Sequence, residues 1–151
     1  MVTFRISAAI GVAAFCLGTL IAAQTKTTVS EIVLERTPCF GSCPVYKVTL
    51  KPDGTILYQG IRFVPRIGKF TAQIYGFDRI AALVDRFQLN KMKDRYAVTY
   101  TDQATTDTTI KTSAGTKTIS VYGPSGPDEL WAFDKAIDGL VADARNWEKA
   151  K

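Results

Sequence analysis

Apolar and polar side chains alternate through the first half of the chain beyond residue 30. Glu31 to Arg36 puts Ile32 and Leu34 on one face and Val33 on the other, which predicts a strand. In Val45 to Lys51, Tyr46, Val48 and Leu50 point one way, and Lys47, Thr49 and Lys51 the other. Lys51-Pro52-Asp53-Gly54 then predicts a turn, with proline presetting φ and glycine taking a positive φ. Thr55 to Gly60 returns as the partner strand of a hairpin. Phe63-Val64 extends that strand until Pro65 interrupts it. Gly68 marks another turn, and Lys69 to Ile74 alternates again. At Gly76 the period changes. Phe77, Ile80, Val84 and Phe87 fall at helical spacing, with Asp78 near the N-terminus and an end around Gln88.

The second half is less even. Tyr96 to Thr106 is rich in threonine and has no period. Thr108–Thr112 and Lys117–Tyr122 flank Ser113-Ala114-Gly115-Thr116 and predict a second hairpin. A last helix is expected with Gly126 as cap, Pro127 at its first position and Asp128-Glu129 in its first turn. Leu130, Phe133, Ile137, Leu140, Val141, Ala144 and Trp147 form its apolar stripe. The expected order is β-β-β-β-α-β-β-α. Short turns between consecutive strands imply antiparallel pairing. Strands with one apolar face need cover, and two amphipathic helices packed on that face supply it. The expectation is an α+β fold; a small closed barrel crossed by a helix is the alternative.

The first residues stand apart from this pattern. Arg5 is the one charge before Lys26, and Ile6 to Ala23 is apolar or small, ending in Ile21-Ala22-Ala23. A basic start, an apolar middle and a small-residue exit describe a secretory signal peptide. An uncleaved anchor is the competing reading, since a bilayer span needs roughly 20 residues. Cys16 does not make a lipidation site, because Phe15 precedes it where a small residue is required. The expected organisation is a signal peptide over 1–23, a polar tether over 24–30 and one α+β domain over 31–149. The expected location is outside the cytoplasm, periplasmic or secreted. Any membrane contact would come through a retained leader.

Composition narrows the chemistry. The 151 residues hold no histidine, which excludes Ser-His-Asp and Cys-His catalysis and His-ligated metals. The 19 basic residues against 14 acidic are scattered, without a basic run beside stacking aromatics, so nucleic acid is not an expected partner. No glycine-rich phosphate loop is present. No metal or other cofactor is expected.

Removing the leader leaves two cysteines, Cys39 and Cys43. In an oxidising compartment they are expected to pair, with Gly41 supplying the turn between them. The closed loop is short, so the chain-entropy model gives the bond about 2 kcal/mol. Redox catalysis is not favoured. The spacing is Cys-x-x-x-Cys and the flanks are strands, whereas reactive dithiols use Cys-x-x-Cys at a helix start.

The run from Glu31 through Thr37-Pro38-Cys39-Phe40-Gly41-Ser42-Cys43-Pro44-Val45-Tyr46 to Leu50, followed by Asp53-Gly54-Thr55 and Tyr58-x-Gly60, resembles a family of exported bacterial proteins. That family is known only as a domain of unknown function, with the signature Pro-Cys-Phe-Gly-x-Cys-Pro-x-Tyr. Cys39, Gly41, Cys43, Pro44 and Tyr46 match the signature by position, as do Asp53, Gly54 and Tyr58. The resemblance implies export and a single small domain. It brings no activity, substrate or cofactor.

Two functional readings remain. The first is a non-catalytic module of the cell envelope that binds a protein or a glycan. Tyr46 and Tyr58 on adjacent strands would stack across the hairpin or, with Tyr96 and Tyr100, line a groove. The second is a hydrolase using carboxylates of the Tyr96–Thr109 stretch, where Asp102 and Asp107 are the nearest to a pair. The missing histidine and the lack of a compact catalytic motif favour the first.

Overall fold

A computed structural model describes residues 27–150. The expected signal peptide lies outside the described residues, as do Gln24, Thr25 and Lys26 of the tether. The strands are β1 (Val29–Arg36), β2 (Val45–Leu50), β3 (Thr55–Arg62), β4 (Gly68–Gln73), β5 (Arg95–Ala97), β6 (Thr105–Thr112), β7 (Gly115–Tyr122) and β8 (Arg145–Lys149). The helices are α1 (Phe77–Arg86) and α2 (Asp128–Ala142), with a short 3₁₀ turn at Leu89–Lys91. All eight strands join one sheet in the order β5-β7-β6-β1-β2-β3-β4-β8. Only the β5–β7 pair is parallel. The fold is α+β, and the sheet is open rather than a closed barrel.

The alternation sets which face is buried. Ile32 and Leu34 of β1, Val48 and Leu50 of β2, Ile56 of β3, Ile110 of β6 and Ile119 of β7 are sealed from solvent. They share one apolar cluster with Phe77, Ile80 and Val84 of α1 and with Leu130, Phe133 and Ile137 of α2. The opposite face carries Glu35, Lys47 and Lys111, with ion pairs Lys47–Glu35 and Lys111–Glu31. Both helices therefore cover the same face.

The β2–β3 hairpin forms as expected. Gly54 has φ +83°, its N–H donates to the Lys51 carbonyl at 3.0 Å, and the Thr55 N–H donates to Asp53 Oδ1 at 2.9 Å. The β6–β7 hairpin also forms, and it is longer than its apolar alternation suggests. Threonines such as Thr106 and Thr108 carry its inward face and hide the period.

Two strands depart from the expected order, and both are edges. Arg95–Ala97 is too short to show a period and exists through pairing with β7. The other departure corrects the last helix. It begins at Asp128 with Pro127 as its cap, and it ends at Ala142, so Ala144 and Trp147 do not extend its stripe. Arg145–Lys149 instead pairs antiparallel with β4, matching Phe70 to Lys149 and Thr71 to Glu148. Helical and extended spacing both bring Trp147 inward; the available edge of β4 decided between them. At the other end of the chain, Val29 and Ser30, expected in the tether, belong to β1.

Candidate functional site

At one end of the sheet, β1, β3 and β7 finish while β2, β4 and β6 begin. Between that end and the C-terminal half of α2 lies a cleft of about 660 Å³. Its size falls within the range of small-molecule sites. Its floor is a polar cluster. Arg36 follows Ile32 and Leu34 on the inward face of β1, so the strand period that buries the two apolar residues also turns the guanidinium inward. Arg36 Nε donates to the Tyr46 hydroxyl at 2.9 Å, Nη1 to Thr106 Oγ1 at 3.2 Å and Nη2 to Asp138 Oδ2 at 2.9 Å. The Tyr46 hydroxyl donates to Asp138 Oδ1. Both Asp138 oxygens are thus engaged, and the arginine charge is matched by its own carboxylate partner.

Asp134 lies one helical turn before Asp138. It is 2% exposed, and Thr108 Oγ1 donates to its Oδ1 at 2.7 Å. Burial pushes its pKa up to about 6; the Thr108 hydrogen bond and the Arg36 charge act in the opposite direction, and the Asp138 charge adds to the rise. The Tyr46 hydroxyl is also raised, first by burial, against the lowering pull of Arg36. For Arg36 burial acts to lower the pKa, but its acidic partners outweigh it and the net shift is upward. The cluster is a set of satisfied polar groups. Among the described residues no buried side-chain nitrogen or oxygen lacks a hydrogen-bond partner.

One wall is aromatic. The Tyr46 and Tyr58 rings stack with centroids 5.7 Å apart. They are diagonal rather than directly opposed, because Tyr46 pairs with Gly60 and Tyr58 with Val48. Trp147 of β8 meets Tyr58 edge-on at 5.5 Å, and the Arg66 guanidinium lies 4.3 Å from the Trp147 ring centroid. Gly60 makes that placement possible, since a Cβ there would stand 1.8 Å from the Arg66 carbonyl oxygen. The loop from Phe63 to Arg66 can therefore cross over β3 and form a rim. Phe63 sits on that rim with φ +55°, 54% exposed.

The cysteine loop leads into the cleft beside that rim, since Val45 pairs with Arg62. Cys39 and Cys43 are disulfide-bonded with Cα atoms 5.8 Å apart, the expected pairing, and Gly41 between them has φ +151°. Cys43 and Pro44 line the cleft, whereas Phe40 at the loop tip is 90% exposed. The bond fixes the connection that carries the chain from Arg36 to Tyr46.

A family model for a domain of unknown function, DUF6438, matches residues 30–141. The chain belongs to that family. The DUF6438 match spans Arg36, Tyr46, Tyr58, Asp134 and Asp138, and it ends before Trp147 and β8. No curated protein and no solved structure matches the chain. The DUF6438 assignment supplies no activity, so the site has only its own geometry to speak for it.

Of the six candidate residues, Tyr46 and Tyr58 enter the cleft and the other four do not. Tyr96, half-buried beside Gly126, accepts a hydrogen bond from the Lys93 N–H at 3.2 Å. Tyr100 is exposed on a loop. Asp102 is exposed in the connection before β6, with φ +68°, and its carbonyl accepts from the Phe40 N–H at 3.1 Å. Asp107 lies on the outer face of β6, opposite Glu35 and Ser120. Asp102 and Asp107 do not converge on the cleft.

Reasoning from sequence missed Arg36, Asp134, Asp138, Arg66 and Trp147. Three of these left a signal. Arg36 continues the inward alternation of Ile32 and Leu34, and Asp134 and Asp138 stand four apart, interleaved with Leu130, Ile137 and Val141. Charged residues on an otherwise apolar face mark a paired polar cluster. Arg66 left none and Trp147 showed only as an inward apolar position, because a loop crossing and an edge pairing bring the two together. Among the described residues there is no group of three or more His, Cys, Asp or Glu side chains arranged to hold a metal, and no helix is long and apolar enough to cross a membrane.

Proposed function

We propose that the protein is an exported, non-catalytic binding module that holds a small molecule in the cleft between α2 and the sheet. The observation that carries this reading is the pairing of an aromatic wall, Tyr58 and Trp147, with a roughly 660 Å³ opening whose buried polar groups are already satisfied. Export is supported by the apolar leader and by the Cys39–Cys43 bond. The non-catalytic part is supported by the state of the carboxylates. Asp134 is sealed beneath the floor, and Asp138 spends both oxygens on Arg36 and Tyr46. A general acid or base must reach its substrate with a free site. The hydrolase alternative draws less support, because neither Asp102 nor Asp107 lines the cleft.

The test is native mass spectrometry and thermal denaturation of the purified domain with the small-molecule fraction of an envelope extract. A bound molecule should raise stability by about 2.7 kcal/mol at a hundredfold excess over its dissociation constant. Ala142→Trp, which fills the cleft mouth from the exposed end of α2, should abolish the gain. A gain that survives this change would place the ligand elsewhere and end the proposal.

A further inference from the structure

The charges around the cleft do not balance. Three cations line it, Arg36, Arg66 and Lys135, and the one carboxylate among the described lining residues is Asp138. Asp138 is held by Arg36 at 2.9 Å. Arg66 and Lys135 have no ion-pair partner among the described residues, where the salt bridges are Arg36–Asp138, Lys47–Glu35, Lys111–Glu31 and Lys117–Asp94. They sit on different elements: Arg66 on the loop after β3, Lys135 on α2. Each therefore reaches the cleft from its own side. The Arg66 guanidinium lies over the Trp147 ring, 4.3 Å from its centroid, and among the described residues its N–H groups make no side-chain hydrogen bond, so they are free to donate. Phe63, Val64 and Val141 line the space between with apolar surface.

Resting on the binding reading above, we infer that the cleft selects a free amphipathic anion, with an aromatic or alkyl body against Tyr58 and Trp147 and a carboxylate, sulfonate or phosphate held by Arg66 and Lys135. Charge complementarity argues for this occupant. A neutral ligand would leave both of these exposed cations with water alone as partner. A cationic ligand would meet them with only the spoken-for Asp138 in compensation.

A matched pair of fluorophores tests it. 8-Anilinonaphthalene-1-sulfonate and N-phenyl-1-naphthylamine share one body and differ by the sulfonate. In fluorescence titrations at low salt, the sulfonate should bind about tenfold or more tightly than the neutral dye. The double variant Arg66→Gln/Lys135→Gln should bring the two dyes to within about twofold of each other, through a loss of sulfonate affinity far larger than any change in the neutral dye. Lys51→Gln, far from the cleft, should alter neither, and circular dichroism melts should confirm that each variant folds. Equal wild-type affinities, both lost in Ala142→Trp, would overturn the anion inference and leave the binding reading standing. Absence of binding by either dye, or binding indifferent to Ala142→Trp, would overturn the cleft reading itself. Co-sedimentation with phosphatidylglycerol vesicles without dye binding would assign the cations to a membrane surface and overturn the inference.

Discussion

The two helices cover the same face of one sheet, yet they bury different things. Every buried residue of α1 is apolar: Phe77, Ile80 and Val84. The buried residues of α2 include Asp134 beside Leu130, Phe133 and Ile137, with half-buried Asp138 one turn later. Under α1 the interface is held by removal of apolar area from water, which has no directional requirement. Under α2 the same packing is interrupted by groups that are tolerated only when each finds its partner. Arg36, Tyr46, Thr106 and Thr108 are those partners; the first three line the cleft and Thr108 lies buried beneath it. The difference teaches that one sheet face can be close-packed at one end and preorganised at the other, because hydrogen-bonded side chains hold a shape that apolar contact alone would close.

The comparison can be broken most decisively at the buried apolar positions of the two helices. Ile137→Ala and Ile80→Ala should each cost about 2–5 kcal/mol, since both side chains are buried and leave cavities. Denaturant melts check this. Ile80→Ala should leave dye affinity unaltered in the folded fraction, and a change in affinity would join the two ends that the comparison separates. Leu140 is only half-buried, so Leu140→Ala should cost less than Ile137→Ala.

Asp134 sharpens the polar half through pH. Its folded pKa, about 6, lies above the ordinary carboxyl value of 3.8, so the native state holds a proton that the unfolded chain releases. Stability from this group is present below pH 4 and is lost as pH rises toward 6, by up to about 3 kcal/mol. Asp134→Asn keeps an acceptor for Thr108 and cannot ionise. Its stability should therefore be flatter between pH 4 and 6 than that of the wild type. Parallel profiles would show that the carboxyl is not desolvated.

Arg36→Met should cost about 2 kcal/mol, because it leaves the half-buried Asp138 and Tyr46 without their shared donor. The loss should shrink when Asp138→Asn is added, and additive losses in that cycle would argue against a coupled cluster. Cys39→Ser should also cost about 2 kcal/mol, and thiol labelling of the wild type should require prior reduction. The smallest effect belongs to Lys135→Ala, under about 0.5 kcal/mol in stability, since Lys135 is exposed on α2. A large loss there would mean that the lysine holds the fold rather than faces a ligand.

Much of this architecture was legible in the chain. Alternation at Tyr46, Val48 and Leu50 is enough to orient β2, and the Pro-Asp-Gly turn enough to close its hairpin, because both follow from residues within a few positions of one another. The cysteine pair was equally local. The inward side chains of β1 and α2 were written too, as Arg36 after Leu34 and as Asp134 and Asp138 among apolar neighbours, although periodicity says only that they face inward and not what they meet. That meeting was decided by tertiary structure. β1 lies between β2 and β6, so Arg36 has Tyr46 on one side and Thr106 on the other, with α2 laid above them. The same holds for Trp147, whose spacing fits a helix and a strand alike. The free edge of β4 offered hydrogen bonds that an extended chain could take, and taking them carried the indole to Tyr58 and Arg66. Local patterns determine which side of an element is buried, whereas a site built from groups a hundred residues apart depends on how the elements pack.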